Sequence, residues 1–280
     1  MIELTRSWLY VPAHRAELLP KAMAGAADAV VLDLEDAVPA DAKATARANA
    51  LAALATRAPK PLWVRVNAPD SDWGRADLAA LAGAPAAGLR LPKAEDPALV
   101  RAVADQTRLA LHVVLESALG VERAFDLATA HPLVALLSLG EADLMADLRI
   151  RDRSALDWAR SRVVNASRAA NLPSPPHAAW TNVSDVDGLA QDSRIARARG
   201  FFGRSVLHPG QLATVNEVFT PSPDEVATAR ALLDRQRAES SAAWLDAEGR
   251  FVDPAVLANA RWQVDLADSL SRAANGRTPA

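Results

Sequence analysis

The chain has 280 residues and a formal net charge of −3, half of its residues are apolar, and it contains no cysteine. This length fits one large domain or two small ones, and the apolar content excludes a disordered chain. The mixed charges lack the basic stripe of a nucleic-acid-binding protein, and the missing cysteines exclude disulfides and thiolate chemistry. Without a long apolar run or a signal-peptide core, we expect a soluble cytoplasmic protein that does not contact membranes.

Short apolar runs alternate with longer Ala- and Arg-rich stretches along most of the chain. We predict β-strands at residues 8–11, 29–34, 62–67, 89–92, 109–116, 134–139, 178–181 and 203–207. Helices are predicted between them, among others at residues 39–57, 154–170 and 185–199. Strands that alternate with helices in this way predict an α/β fold, the (β/α)8 TIM barrel, with an open doubly wound sheet as the alternative.

The segment TPSPDE at residues 220–225 marks a break after the last predicted strand. Ser222 or Asp224 is suited to cap a helix that runs to about residue 240, and a final helix extends towards residue 275. These two helices are surplus to an eight-fold barrel. We therefore predict a catalytic barrel domain at residues 1–220 and a helical C-terminal extension at residues 221–280, which forms a lid or an oligomer contact.

Polar side chains gather where the predicted strands end, the place where barrel enzymes hold their chemistry. Glu116 ends the fifth predicted strand, and Asp143 follows the sixth, one strand–helix–strand unit later. Neighbouring strand ends would bring the two carboxylates close enough to share one cation. An oxygen-only pair, without Cys or a paired His, suits Mg²⁺. The alternative is that both residues only cap helices, since carboxylates are common at helix N-termini.

An arginine, Arg65, interrupts the otherwise apolar third strand LWVRVN. A permanently charged, forked donor at a strand end is suited to bind a carboxylate or to stabilise a developing oxyanion. The alternative is a buried structural ion pair with Asp33 or Glu35. In the acidic cluster at residues 33–36, Glu35 and Asp36 are candidates to hold metal-bound waters or to orient Arg65.

Three further polar residues follow predicted strands. Arg15, after the first strand, is a candidate to bind a phosphate or a carboxylate, although a solvated loop arginine is the commoner case. Lys93, after the fourth, would meet either a ligand phosphate or a carboxylate of the core. His208 precedes a proline at a helix start, and we interpret it as structural.

Nine segments, taken in chain order, resemble a single protein family. They are RSWLYVPAHR, VVLDLEDAV, WVRVN, LRLPKAE, VVLESALG, LGEADLMADL, ARSRVVNASRAA, LHPGQLATVNEVFTPS and FVDPAVLANA. This ordered set resembles the HpcH/HpaI aldolase/citrate lyase family, in its CitE-like (citrate lyase β-subunit-like) branch. The resemblance implies a TIM barrel in a homotrimer or hexamer, with Mg²⁺ held by Glu116 and Asp143 and with Arg65 contacting a 2-oxo acid. It also implies that Asp253, in FVDPAV, acts as acid/base from a neighbouring subunit.

The resemblance implies a Mg²⁺-dependent carbon–carbon lyase that acts on a hydroxyacyl-CoA thioester such as citryl-CoA or malyl-CoA. Its other partners would be an acyl-CoA and a 2-oxo acid, with Arg15 and Lys93 as candidates for substrate binding. The alternatives are hydrolysis of the thioester, a malate-synthase-like activity, an aldolase acting without CoA, and a non-catalytic binding subunit.

The sequence departs from the family pattern at three places. A glutamate usually precedes the metal-binding aspartate, but Ala142 stands there, with Glu141 one step earlier. Asn182 stands where many members carry an aspartate, and Arg204 replaces a frequent lysine. These changes bear on substrate fit and on the charge around the metal.

Overall fold

The computed structural model describes residues 2–238, 243–246 and 248–275. The chain divides into two compact units, one over Ile2–Phe219 and one that begins at Thr220. Within the described ranges, no helix combines the length and the apolar character needed to cross a membrane.

The first unit is built around a seven-stranded parallel sheet with the order β6-β5-β4-β3-β2-β1-β7. Its strands are β1 (Ser7–Pro12), β2 (Ala29–Asp33), β3 (Leu62–Arg65), β4 (Gly88–Leu91), β5 (Leu111–Leu115), β6 (Val134–Leu139) and β7 (Arg204–Val206). All five residues of β2 and of β5 are buried, as expected for strands covered on both faces. The predicted α/β class is confirmed.

Helices separate the strands and cover the outside of the sheet. They are α1 (Leu19–Ala24), α2 (Lys43–Leu54), α3 (Asp72–Leu81), α4 (Pro97–Thr107), α5 (Ala118–Glu122), α6 (Ala124–Ala128), α7 (Glu141–Asp147), α8 (Asp157–Ala169), α9 (Val186–Ala198) and α10 (Leu212–Val218). Short 3-10 turns precede α2 and α8, at Ala40–Ala42 and Arg153–Leu156, so that the predicted helix at 39–57 begins as a tighter turn.

The strand predicted at residues 178–181 is wrong. Residues 178–181 belong to no strand, and the nearest pairing is an isolated parallel bridge between His177 and Arg204. The side chain of Arg204 is fully buried beside the segment and donates a hydrogen bond from Nε to the carbonyl oxygen of Ala178, at 2.8 Å. A carbonyl that would otherwise join a strand ladder is therefore bonded to a side chain, and regular pairing stops.

Side-chain contacts across the interior show that the sheet curls strongly. Arg90, on β4, donates from Nη2 to Ser138 Oγ on β6, at 3.3 Å, and to Ser205 Oγ on β7, at 3.1 Å. Because β6 and β7 are the two ends of the sheet, a single guanidinium group can reach both only if the ends approach each other. The curvature is that of a barrel, and the TIM-barrel-like fold is confirmed.

The inside of the curled sheet is apolar near the start of the strands and polar near their ends. Trp8 and Trp63 meet edge to face, with ring centroids 5.5 Å apart, within a buried apolar cluster. Two residues further along β3 comes Arg65, whose lateral neighbours in the sheet are Asp33 and Arg90. Lateral neighbours in parallel strands face the same side, so charged groups collect at the carboxyl ends of the strands.

The second unit consists of α11 (Pro223–Ala238), α12 (Pro254–Asn275) and a short hairpin of β8 (Trp244–Leu245) and β9 (Phe251–Val252). The two helices pack on each other, and Trp244, Val252 and Leu257 form a small buried cluster. Ser222 begins α11 with a reciprocal cap: its hydroxyl accepts from the Glu225 N–H, and the Glu225 carboxylate accepts from the Ser222 N–H. The predicted end of this helix, at about residue 240, lies outside the described residues.

Candidate active site

A cavity of about 470 Å³ lies at the carboxyl ends of the strands of the first unit. Its lining combines charged groups from several strand ends, among them Asp33, Arg65, Arg90, Glu116 and Asp143. The carboxyl ends of barrel strands are the usual position of a catalytic site, because the following loops point there.

The two carboxylates predicted to bind a metal converge on one cationic atom. Lys93 Nζ lies 2.8 Å from Asp143 Oδ1 and 3.2 Å from Glu116 Oε1. The Lys93 backbone N–H also donates to Glu116 Oε1, at 2.7 Å. Lys93 adopts a left-handed backbone conformation with φ of 52°, which is uncommon for a residue with a side chain. This conformation lets its backbone and its side chain reach the same carboxylate.

Glu116 is held tightly, whereas Asp143 is accessible. Glu116 is buried, and a Cβ atom at Gly140 would lie only 2.6 Å from its Oε2 atom, so only glycine leaves room for this carboxylate. Burial raises the pKa of Glu116, although the charge of Lys93 opposes the rise. Asp143 stands in the first turn of α7, with 43% of its side chain exposed.

Arg65 is the centre of an acidic cluster. Its Nε and Nη2 atoms donate to the two oxygens of Asp33, at 2.6 and 2.7 Å, which is a bidentate ion pair. Its Nη1 atom donates to Asp36 Oδ2, at 3.1 Å. Burial alone would lower the pKa of Arg65, but its hydrogen bonds to Asp33 and the neighbouring charges raise it. The structural ion pair that was the alternative for Arg65 is therefore present, and the side chain lines the cavity as well.

The carboxyl group of Glu35 is buried next to Arg65. Its Oε2 atom lies 2.9 Å from Arg65 Nη1 but has no hydrogen-bond partner among the described residues. Burial raises the pKa of Glu35 to about 8, helped by the negative charges of Asp36 and Glu116. At neutral pH this carboxyl group is largely protonated.

A buried lysine ties the acidic cluster to the next strand. Lys43 Nζ donates to the carbonyl oxygens of Leu34 and Glu35, both at 2.7 Å, and to Asn67 Oδ1, at 2.6 Å. Leu34 and Glu35 follow β2, and Asn67 follows β3. Lys43 thus fixes the backbone that presents Glu35 to Arg65.

Other predicted residues lie away from the cavity lining. Arg15 has 55% of its side chain exposed and pairs with Glu17 at 3.0 Å. His208 accepts from the N–H of Gly210 and caps the 3-10 turn Pro209–Gln211, in agreement with its structural interpretation. Asp253 belongs to the second unit, where its Oδ1 atom accepts from two backbone N–H groups and caps α12.

The residues at the three departures from the family pattern lie in different environments. Glu141 does not point to the Glu116–Asp143 pair but forms a bidentate ion pair with Arg160, at 2.7 and 2.8 Å. Ala142 contributes to the cavity lining. Asn182 is exposed and accepts a hydrogen bond from the Ser184 hydroxyl, and Arg204 forms the interior contact with Ala178 described above.

A model of the HpcH/HpaI aldolase/citrate lyase family matches residues 6–209. The chain belongs to this family. It is 35% identical over 276 residues to a (3S)-malyl-CoA thioesterase of Cereibacter sphaeroides, covering 95% of each chain. It is 32% identical to an L-malyl-CoA/beta-methylmalyl-CoA lyase of the same species, again over 95% of each chain.

A solved structure supports the CitE-like branch. The protein CitE of Mycobacterium tuberculosis, in complex with magnesium, acetoacetate and coenzyme A, superposes with a TM-score of 0.85 and is 33% identical. The match covers 95% of this chain and 98% of that one. The resemblance inferred from the sequence is therefore confirmed.

The charge balance of this family member's cavity fits a divalent cation. Apart from Glu141, which is paired with Arg160, five carboxylates meet three cationic groups in or beside the cavity, namely Asp33, Glu35, Asp36, Glu116 and Asp143 against Arg65, Arg90 and Lys93. When all are ionised, two negative charges remain in excess. Among the described residues no group of three potential metal ligands occurs, and a divalent ion in this cavity would have two protein ligands, Glu116 and Asp143. Mg²⁺ commonly takes one or two carboxylates and leaves its other positions to water and substrate.

Some residues that shape the site were not singled out from the sequence. Lys43 lies within a predicted helix, and nothing in the sequence marks it as buried. Arg90 gives a clearer signal, because it interrupts the apolar run of β4 in the same way that Arg65 interrupts β3. The same reasoning applied to LRLPK would have found it.

Replacing Glu35 with glutamine tests whether ionisation of this buried carboxyl group destabilises the protein. The folded-state pKa of about 8 lies above the ordinary 4.5, so folding favours the protonated form, and stability is lost as the pH rises from about 4.5 through about 8. In metal-free buffer, the thermal stability of the wild type should therefore fall towards about pH 9 more than that of Glu35→Gln. The variant should be the more stable one there by about 2–4 kcal/mol. Glu217→Gln, at an exposed position, should follow the wild type; identical pH profiles for all three proteins would refute the assignment.

Proposed function

We propose that this protein is a Mg²⁺-dependent carbon–carbon lyase. It cleaves or forms a hydroxyacyl-CoA thioester, such as citryl-CoA or malyl-CoA, with an acyl-CoA and a 2-oxo acid on the other side of the reaction. The observation that carries the proposal is the convergence of Glu116 and Asp143 on Lys93 Nζ, in the cavity that Arg65 also lines. The relatives named above include a lyase and a thioesterase, both of which act on malyl-CoA.

Several residues of the chain have distinct roles in the proposed reaction. When bound, Mg²⁺ supplies Lewis-acid polarisation of the substrate oxygens it meets. Arg65 stabilises the negative charge that moves on and off the 2-oxo group, and Asp33 and Asp36 keep its guanidinium in position. Glu35, protonated at neutral pH, has a proton available to donate beside Arg65.

Lys93 is also proposed to contact the substrate. A divalent ion that binds both carboxylates would replace the ammonium group now between them, and would leave Lys93 free to turn. Its side chain is 41% exposed, so it can reach a substrate carboxylate or a CoA phosphate. Arg15, which is also exposed at a strand end, is proposed to contact the CoA phosphates.

Asp253 is proposed as the acid/base that exchanges a proton with the carbon of the acyl-CoA enolate. It belongs to the C-terminal unit, and we propose that it enters the cavity of a second copy within a homotrimer or hexamer. In support, the C-terminal unit exposes large apolar side chains that an assembly would cover, namely Leu245, Phe251, Val256 and Trp262. A carboxylate at a subunit boundary is also partly removed from water, which favours proton transfer.

Thioester hydrolysis is the second candidate function. It is favoured by the 35% identity to a malyl-CoA thioesterase along almost the whole chain. The two reactions differ in their products, because a lyase releases an acyl-CoA with a 2-oxo acid, whereas a hydrolase releases free CoA.

A panel of CoA thioesters, assayed with Mg²⁺ for 2-oxo acid, acyl-CoA and free CoA, tests the function. We expect a 2-oxo acid and an acyl-CoA in equal amounts from at least one thioester. Asp143→Asn should reduce this turnover by more than about 100-fold, because it removes a metal ligand. Asp126→Asn, the same change on an exposed helical position, should leave turnover unchanged.

The other outcomes are informative as well. Free CoA as the first product would favour the hydrolase. Condensation of an acyl-CoA with an oxo acid, followed by release of CoA, would indicate a malate-synthase-like activity. Oxo-acid binding without turnover of any thioester would indicate a binding subunit.

Asp253→Asn tests the acid/base role and its origin in a neighbouring copy. Asparagine also caps helices, so the start of α12 should be preserved while proton transfer is lost. We expect no turnover but normal binding of Mg²⁺ and a 2-oxo acid. Co-expression of Asp253→Asn with Asp143→Asn should restore activity, because a mixed assembly combines one intact cavity with one intact aspartate.

Restored activity in the mixed assembly cannot arise from either variant alone. Near-normal turnover of Asp253→Asn by itself would refute the acid/base role. Loss of turnover without restoration would mean that Asp253 acts within its own chain.

A further inference from the structure

Arg90 is a buried cation inside the sheet for which neither the proposed mechanism nor the sequence pattern accounts. It lies in the middle of β4, with 4% of the residue exposed, and it lines the cavity. In the sheet register its lateral neighbours are Arg65 on β3 and His112 on β5. An arginine in this position points into the interior at the level where Arg65 meets its carboxylates.

The charge of Arg90 has no counter-ion among the residues that the structure describes. Its Nη2 atom is held by the hydroxyls of Ser138 and Ser205, but its Nε and Nη1 atoms are buried without hydrogen-bond partners. Within the described ranges no carboxylate lies within 4.0 Å of the guanidinium. A buried, unpaired charge is costly, and arginine does not relieve the cost by losing its proton.

The other two cations of the cavity are already neutralised. Arg65 is surrounded by Asp33, Glu35 and Asp36, and Lys93 lies between Glu116 and Asp143. An anionic group that enters the cavity therefore meets the uncompensated positive charge at Arg90.

Tyr10 links the two arginines. The Arg65 and Arg90 guanidinium carbons lie 5.0 and 5.3 Å from the centroid of the same Tyr10 ring. The two guanidinium groups thus lie close to the same aromatic side chain. A ligand whose head group is held beside Arg65 therefore has a second cation, Arg90, close to it.

We propose that Arg90 determines substrate specificity by binding the second carboxylate of a dicarboxylic 2-oxo acid. The assignment rests on the proposed function, which places the 2-oxo acid head group beside Arg65. Ser138 and Ser205 hold the guanidinium through Nη2, and Nε and Nη1 remain to donate to the distal carboxylate. His112 is neutral here, because burial and the charge of Arg90 lower its pKa well below the ordinary value, so it adds no competing charge.

Calorimetry with Mg²⁺ tests the assignment on the full-length protein. The probes are oxaloacetate and 2-oxoglutarate, which carry a second carboxylate, and pyruvate and 2-oxopentanoate, which do not. We expect the wild type to bind oxaloacetate at least about 10-fold more tightly than 2-oxopentanoate, the range expected for a charge-assisted hydrogen bond. Arg90→Met should lose this preference and bind pyruvate within about 3-fold of the wild type.

Two further variants and a measurement of thermal unfolding distinguish a loss of binding from a loss of folding. Arg90→Lys retains the charge and should keep part of the preference for the dicarboxylate. Arg101→Met, a matched change at an exposed position of α4, should bind every probe as the wild type does. Thermal unfolding of Arg90→Met should remain close to that of the wild type, because an apolar side chain replaces an unpaired buried charge.

Two results would overturn the assignment. One is a wild type that binds mono- and dicarboxylic oxo acids equally. The other is an Arg90→Met variant that loses pyruvate and oxaloacetate to the same extent, which would make Arg90 a contact of the head group or a structural cation. Failure of the wild type to bind any oxo acid with Mg²⁺ is a different result, since it would remove the proposed function itself and this assignment with it.

Discussion

The cavity concentrates more negative charge than its own cations can neutralise, and the surrounding structure depends on how that charge is held. Glu116 is buried in a space that only a glycine at position 140 leaves open. Asp33 is fully buried and is satisfied by Arg65 through both oxygens. Groups placed this rigidly lose little freedom when a cation or a substrate arrives, and such preorganisation is what favours catalysis.

The residual charge has two ways to be balanced. Without a divalent ion, a proton on Glu35 and the ammonium of Lys93 reduce the repulsion. A divalent ion held by Glu116 and Asp143, as proposed, would balance the same charge in place of the Glu35 proton and the Lys93 ammonium. The proposed metal binding would therefore be linked to the protonation of Glu35 and to the position of Lys93, which contacts both proposed metal ligands.

Most of the site could be predicted from the sequence because its residues stand at strand ends. In a parallel sheet these ends share one edge, so Glu116, Asp143 and Arg65 could be brought together from order and spacing alone. Arg90 interrupts the apolar run of β4 and could have been predicted in the same way, but its contacts with Ser138 and Ser205 could not, because only the curl of the sheet makes these residues neighbours. That curl is not visible in the periodicity of any single strand.

The seventh predicted strand shows a second limit of prediction from sequence. Residues 178–181 follow the apolar pattern of a short strand, but the buried Arg204 side chain takes the carbonyl of Ala178. A long-range bond of this kind leaves no local signature. The role of Asp253 is a third case, since its local contacts explain only a helix cap, and a catalytic role requires a second copy of the chain.

The central claim is that Glu116 and Asp143 bind one divalent ion together. A crystal soaked in Mn²⁺ and measured at the manganese absorption edge locates such an ion directly. We predict one anomalous peak at a coordination distance of about 2.1 Å from an oxygen of each carboxylate, with the Lys93 ammonium moved out from between them. Two carboxylates still bridged by Lys93, with any manganese bound elsewhere, would contradict the account.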